Sequence, residues 1–169
     1  MDVEFLEKKA KRVRKEVLEM AYHRGHGHIG GSYSIIEILL VLFDEIMNEK
    51  DKFILSKGHA CLPYYILLRE KGFNPTISGH PEMDPANGIH CTTGSLGHGL
   101  PIGMGMAFAK KEKRKEGKVY VLLSDAECQE GTTWESCLIA SHNKLENLTI
   151  IVNNNNMQTL GKTSDILSL

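Results

Sequence analysis

Two short apolar runs, at residues 119–123 and 148–152, enclose a segment at 131–142 whose pattern predicts a helix. Apolar runs of this length that are rich in β-branched residues are typical of buried strands. A strand, a helix and a second strand in this order form a βαβ unit, in which the two strands run parallel. The pattern therefore predicts an α/β fold with a parallel sheet flanked by helices.

Polar residues follow both predicted strands: Asp125 follows the first and Asn155 follows the second. Because the carboxyl ends of adjacent parallel strands meet at one edge of a sheet, both side chains are expected to face the crevice where such folds bind ligands. A carboxylate and an amide oxygen suit Mg²⁺, which keeps its other positions for phosphate oxygens and water. A structural alternative is equally open, in which Asp125 caps the next helix and the asparagines at 153–156 form a polar turn.

The composition excludes several classes of protein. Among 169 residues, 20 basic and 21 acidic side chains nearly cancel, so the charge indicates neither nucleic acid nor a membrane surface as a partner. We find no signal peptide and no apolar run of transmembrane length, which predicts a soluble, cytoplasmic protein. The cysteines lack Cys-x-x-Cys spacing and are interpreted as small, partly buried apolar residues. One domain over residues 1–169 is expected.

Periodicity and glycine placement predict the remaining elements. Ser34 and Glu37 are expected to form a capping box before a buried helix at 35–47. The glycine-rich segments 26–31 and 90–99 are predicted to be irregular loops. The other predictions are a helix at 3–24 closed by Gly25, a strand at 51–56, and helices at 60–71 and 101–115.

Four histidines lie on the predicted loops or at a predicted strand end: His28, His59, His80 and His98. A single histidine is usually structural or merely exposed, but four in such positions favour a functional role, since loops carry function more often than the scaffold does. The glycine loops alone are weak evidence, because 94–99 runs Gly-x-x-Gly-x-Gly, the wrong order for a dinucleotide-binding fingerprint.

Taken together, five motifs in a fixed order resemble the amino-terminal, thiamine diphosphate-binding half of transketolase. The resemblance covers nearly the whole chain, to about residue 165, and is similar in detail to the split, two-subunit transketolases. It implies the thiamine diphosphate-binding fold of the diphosphate-binding (PP) domain, in a minimal form. The motifs are GHIGGS at 27–32, KFILSKGHA at 52–60, GHPE at 79–82, TGSLGHG at 93–99 and SDAE at 124–127, followed by Asn155, 30 positions after Asp125.

The resemblance implies a role for particular residues. Asp125, Asn155 and the Met157 carbonyl would hold Mg²⁺, which Ca²⁺ or Mn²⁺ could replace. His28 and His80 would line the substrate channel and move protons, and Glu130 would belong to a carboxylate network between subunits. The residues implied to bind thiamine diphosphate are His59, Gly94, Ser95, Leu96, Asp125, Ala126, Glu127 and Asn155.

The function implied is that of a transketolase subunit of carbohydrate metabolism, which transfers a two-carbon ketol group between sugar phosphates. Its implied partner is a second chain that supplies the pyrimidine-binding domain, in a heterotetramer. Departures from the family pattern are Ser124 and Ala126 in place of glycines, Asn153 and Asn154 in place of acidic or aromatic residues, and an early end at residue 169. An alternative hypothesis is therefore a truncated, non-catalytic diphosphate-binding or scaffolding homologue.

Overall fold

A computed structural model describes residues 2–168 of the chain. Within this range the chain folds into two compact units, each assembled from two stretches of sequence. The first unit holds residues 2–48 and 58–92, and the second holds residues 49–57 and 93–168. The two ends of the predicted single domain, residues 1 and 169, lie outside the described range, and that domain assignment stays a prediction.

The first unit begins with the predicted amphipathic helix, α1 (Val3–Arg24). The Asp2 side chain accepts a hydrogen bond of 3.1 Å from the Phe5 amide, which caps the first turn. Gly25 ends the helix with a left-handed backbone, φ 72°. The core-facing residues are Leu6, Ala10, Val13 and Val17, and the prediction of this helix is confirmed.

The segment after α1 differs from its prediction. The glycine-rich stretch predicted to be irregular becomes helical at α2 (Ile29–Tyr33), and α3 (Ile36–Val41) continues as a π-helical turn, Leu42–Ile46. The predicted capping box is wrong. Ser34 already has right-handed helical backbone angles and its hydroxyl donates to the Gly31 carbonyl at 3.0 Å, whereas a capping residue needs extended geometry.

The helix α4 (Leu62–Glu70) is the last α-helix of the first unit and lies within the predicted range 60–71. It carries Pro63 in its first turn, where a proline is tolerated. The following residues form a loop with a 3-10 turn at Pro85–Asn87. Two buried tyrosines tether this loop: the Tyr64 hydroxyl donates to the Gly88 carbonyl at 2.8 Å, and the Tyr65 hydroxyl donates to the His80 carbonyl at 3.0 Å.

The second unit contains the predicted βαβ unit. Three parallel strands, β1 (Lys52–Leu55), β2 (Val119–Ser124) and β3 (Leu148–Asn153), lie in the order β1-β2-β3. The central strand β2 is buried along its whole length. The two long helices of this unit are α5 (Gly99–Glu112) and α6 (Gly131–His142), so the predicted α/β fold with a helix-flanked parallel sheet is confirmed.

The chain after β3 forms small elements that the sequence pattern does not predict. Two antiparallel strands of two residues each, β4 (Met157–Gln158) and β5 (Gly161–Lys162), form a hairpin, and α7 (Thr163–Ile166) follows. No helix within residues 2–168 has both the length and the apolar character needed to cross a membrane. All four cysteines are free, and Cys61 and Cys91 are buried.

Candidate active site

Asp125 lies directly after β2 and is 6% exposed. Its amide donates to the Asn153 carbonyl at 3.3 Å, which continues the pairing of β2 with β3. One carboxylate oxygen, Oδ2, accepts a hydrogen bond of 2.7 Å from the Thr163 hydroxyl. The other, Oδ1, is buried and has no hydrogen-bond partner within the described residues. A buried carboxylate oxygen without a donor is costly, so this position fits a cation.

The two parts of the structural alternative for this sheet edge have different outcomes. The Asp125 side chain does not cap the 3-10 turn Ala126–Gln129 that follows it, so the capping alternative is wrong. The asparagines do form a turn, because the Asn155 side-chain oxygen accepts from the Met157 amide at 3.0 Å. An amide oxygen has a second lone pair, so this bond leaves Asn155 able to bind a metal ion.

Ala126 fits its backbone without strain. Within residues 2–168, the non-glycine residues with positive φ are Arg114, Lys144 and Asn156. Ala126 is therefore not in the left-handed conformation that would require a glycine at this position. An alanine at position 126 therefore needs no change in the local backbone conformation.

Glu127 accepts several buried hydrogen bonds at this edge, a structural role that its position in the sequence did not indicate. The carboxylate is fully buried and accepts hydrogen bonds from the Gly97 amide at 3.0 Å, the Ser124 amide at 2.8 Å and the Ser56 hydroxyl. It therefore joins the ends of β1 and β2 to the glycine loop. Its predicted contact with the cofactor stays a prediction.

The loop at 93–99 is held in place through Gly97, which has φ 80°. Its amide donates to Glu127, and its carbonyl accepts from the Thr132 hydroxyl at 2.7 Å. A Cβ added at Gly97 would lie 2.7 Å from the Cβ of Glu130, so only glycine fits. The predicted cofactor-binding residues of this loop are Gly94, Ser95 and Leu96, and Ser95 is exposed.

Lys57 is a second residue that sequence reasoning missed. It follows β1, is 1% exposed, and its Nζ donates to the Asn153 side-chain oxygen at 2.7 Å. Burial lowers the pKa of Lys57 to about 8, and the negative charges of Asp125 and Glu127 oppose that shift. Its position directly after a predicted strand was the available sequence signal, whereas Asp125 and Glu127 come near it only in the folded chain.

In the first unit, three predicted site residues line one cavity of about 200 Å³: His28, His59 and His80. The rings of His28 and His59 meet edge to face, with centroids 5.1 Å apart. Gly27, beside His28, packs closely against α1 and α4, since a Cβ there would lie 3.0 Å from both Ala21 Cβ and Leu62 Cδ1. His98, the fourth histidine, is exposed at the start of α5 in the second unit.

Residues 2–168 contain no cluster of three or more His, Cys, Asp or Glu side chains suited to a metal ion. The predicted set is of another kind, with one carboxylate, one amide oxygen and one main-chain carbonyl from Asp125, Asn155 and Met157. Oxygen ligands of this mixed type suit Mg²⁺, which retains water and takes phosphate oxygens. The assignment of these three ligands stays a prediction.

Residues 6–168 match the family model described as the thiamine diphosphate-binding domain of transketolase. The chain belongs to the transketolase family. It is 36% identical to an apulose-4-phosphate transketolase subunit of Phocaeicola vulgatus, over 100% of this chain and 67% of that protein. It is 39% identical to the protein of the same name from Actinobacillus succinogenes, over 96% of this chain and 67% of that protein.

A solved transketolase, from Leishmania mexicana, superposes with a TM-score of 0.89 at 27% identity, over 97% of this chain and 29% of that one. The chain thus spans about two thirds of the two apulose-4-phosphate transketolase subunits and under a third of the Leishmania transketolase chain. The predicted membership of a transferase family and the predicted thiamine diphosphate-binding fold are confirmed.

Proposed function

We propose that the chain is one subunit of a thiamine diphosphate- and Mg²⁺-dependent transketolase. It would transfer a two-carbon ketol group between sugar phosphates when a second chain supplies the pyrimidine-binding domain. Membership of the transketolase family supports the reaction class. The relatives named for apulose-4-phosphate support a sugar phosphate as the class of substrate.

The observation that carries the proposal is the Oδ1 of Asp125, at the carboxyl end of the central strand, which is buried and has no hydrogen-bond partner in the described part of the chain. In a chain of this family, a Mg²⁺ ion bound to the cofactor's diphosphate would satisfy that oxygen. Asn155 and the Met157 carbonyl would complete the protein's share of the ligands. The bound cofactor would supply the nucleophilic carbon chemistry that protein side chains lack.

The chain's own residues would bind, orient and move protons. In the second unit, the Ala126 amide and the loop Gly94–Leu96 would contact the cofactor, with Glu127 holding that loop in place through Gly97. In the first unit, His59 would contact the diphosphate. His28 and His80 would hydrogen-bond sugar hydroxyls and exchange protons with them, a task suited to imidazole near neutral pH.

An exposed apolar surface supports the need for a partner chain. On α6, Trp134 is 53% exposed, Leu138 is 72% exposed and Ile139 is 47% exposed. Trp134 and Leu138 lie four positions apart and so share one face of the helix, and exposed apolar side chains grouped on one face mark protein interaction sites. We propose that this surface binds the pyrimidine-binding subunit in a heterotetramer. Glu130, exposed at the start of α6, would join the carboxylate network between subunits.

The decisive experiment assays ketol transfer with thiamine diphosphate and Mg²⁺. It uses the full chain alone and the full chain together with the protein encoded by the adjacent gene. Activity is expected only for the pair. Calorimetry should show that Asp125→Asn weakens Mg²⁺-dependent cofactor binding by about tenfold or more, because a charged ligand is lost. Asp165→Asn, at an exposed aspartate of the same unit, is the control and should bind normally.

An inactive pair in which the chain still binds the cofactor would favour the non-catalytic, diphosphate-binding homologue instead. Equal cofactor affinity in the Asp125→Asn and Asp165→Asn variants would reject the metal assignment.

A further inference from the structure

The cavity in the first unit is lined by basic residues beyond the three histidines assigned a role above. Arg24, the last residue of α1, lines it together with His26 and the three histidines already described. Its other lining residues are Gly27, Cys61, Leu62, Ser78 and Gly79, and none of the ten is an aspartate or a glutamate. The cavity therefore presents one permanent positive charge and four imidazoles, without a carboxylate to balance them.

The Arg24 side chain is held in place by one hydrogen bond, but another of its donors lacks one. Its Nη1 donates to the Ile77 carbonyl at 2.6 Å, which fixes the guanidinium against the loop that follows α4. Its Nε is buried and has no hydrogen-bond partner within the described residues. An unpaired buried donor costs free energy, and a guanidinium presents its donors in a fork that matches an oxyanion.

Cys61 does not supply the missing negative charge. Burial raises the pKa of the Cys61 thiol to about 11, so the thiol is neutral at physiological pH. Its sulfur instead contacts the carbonyls of Ser78 and Gly79, at 3.6 Å and 3.4 Å. An anion that enters the cavity would therefore meet donors and no competing charge.

The size of the cavity indicates one small group. At about 200 Å³ it lies below the range of roughly 300–1,000 Å³ that is usual for pockets enclosing a whole ligand. We propose that Arg24 and His26 form a subsite for an oxyanion group, a phosphate or a carboxylate, carried by the substrate. The identification of the ligand as substrate rests on the proposed function, whereas anion binding does not.

The test is an NMR titration of the full chain with inorganic phosphate, and separately with acetate, at constant ionic strength and with thiamine diphosphate and Mg²⁺ present throughout. The imidazole resonances of the cavity should shift and saturate. Arg24→Gln should weaken this binding by about tenfold or more, because a charge-assisted hydrogen bond is lost. A response to phosphate or to acetate supports the proposal and identifies the group.

Two further variants make the result specific. Lys8→Gln removes an exposed positive charge from the same unit and should leave the titration unchanged. His26→Gln, at an exposed residue, should also weaken binding, and it replaces the arginine variant if thermal unfolding shows that Arg24→Gln does not fold. Two results would overturn the proposal. One is anion binding by Arg24→Gln, or by His26→Gln where it replaces that variant, that equals binding by the native chain. The other is a loss of anion binding in Lys8→Gln as large as that in Arg24→Gln.

Calorimetry then separates the substrate's anion from the cofactor's diphosphate. Arg24→Gln should keep its affinity for thiamine diphosphate, and a loss equal to that for phosphate would overturn the assignment to substrate. In the assay with the partner chain, the same variant should raise KM for a phosphorylated aldose but not for the unphosphorylated sugar. Failure of the ketol-transfer assay would reject the proposed function while leaving the anion titration intact.

Discussion

The Lys57 ammonium donates a hydrogen bond of 2.7 Å to the side-chain oxygen of Asn153, and both residues are buried. Lys57 follows β1 and Asn153 ends β3, so the bond spans the carboxyl end of the central strand between them. Asn153 is neutral and does not balance the charge of the Lys57 ammonium. The charge of Lys57 is instead balanced by Asp125 and Glu127, whose negative charges favour its protonated form.

This burial predicts a pH dependence of stability. The pKa of Lys57 is lowered to about 8 from its ordinary value of 10.5, so between these values the unfolded chain binds the proton that the folded chain has released. Stability from this group should therefore rise with pH, by about 1 kcal/mol between pH 8 and 9, and should not change below pH 7. Urea unfolding at several pH values measures it.

The Lys57→Met variant is the control for that measurement, because it fills the same volume without a titratable group. The difference in unfolding free energy between the native chain and the variant should change over pH 8–9. From about pH 8 upward the raised pKa of Cys61 acts in the opposite direction in both proteins, so only the difference between them is informative. Parallel curves over pH 8–9 would contradict the prediction.

Glu127→Gln should destabilise the second unit by roughly 2–4 kcal/mol, because an amide nitrogen would replace an oxygen that accepts from buried donors. The amides of Gly97 and Ser124 both depend on this carboxylate. Urea unfolding gives the free energy. Glu135→Gln, at an exposed position on α6, should change stability by less than about 0.5 kcal/mol. Similar small effects in the two variants would show that Glu127 does not hold the loop.

The same substitution at two glycines of α5 should have opposite effects. A Cβ at Gly103 would clash with Val121 of β2, so Gly103→Ala should destabilise the protein by about 1–3 kcal/mol. At Gly105 no atom lies within 4 Å of the added Cβ, so Gly105→Ala should stabilise the helix by about 0.5–1 kcal/mol. Thermal unfolding of both variants measures the sign, and a shift of the same sign in both would be inconsistent with this packing.

Leu138→Arg should weaken association with the partner chain by about tenfold or more, because it places a charge in the exposed apolar surface of α6. Its stability as an isolated chain should change by less than about 0.5 kcal/mol. Leu160→Arg is the matched control, since Leu160 is 86% exposed and lies outside α6. Sedimentation of the mixed chains provides the measurement, and equal losses in both variants would argue against this surface.

Local signals in the sequence predict most of the regular structure. The apolar periodicity and Gly25 give α1 with both of its bounds, and α6 also begins and ends where its pattern predicts. The capping box at Ser34 fails for a physical reason. Side-chain spacing identifies residues able to cap a helix, but the preceding turn had already placed Ser34 in helical geometry.

By itself, the sequence determined the βαβ unit, the order of the motifs and the positions of Asp125 and Asn155 after their strands. These follow from local periodicity and spacing, which need no knowledge of distant contacts. Only the tertiary structure decided which polar groups are already paired. Ser56 and Glu127 are 71 positions apart and Lys57 and Asn153 are 96 apart, so their bonds exist only once the parallel strands align. That alignment leaves the buried Oδ1 of Asp125 without a donor among residues 2–168, because Thr163 reaches only the other oxygen.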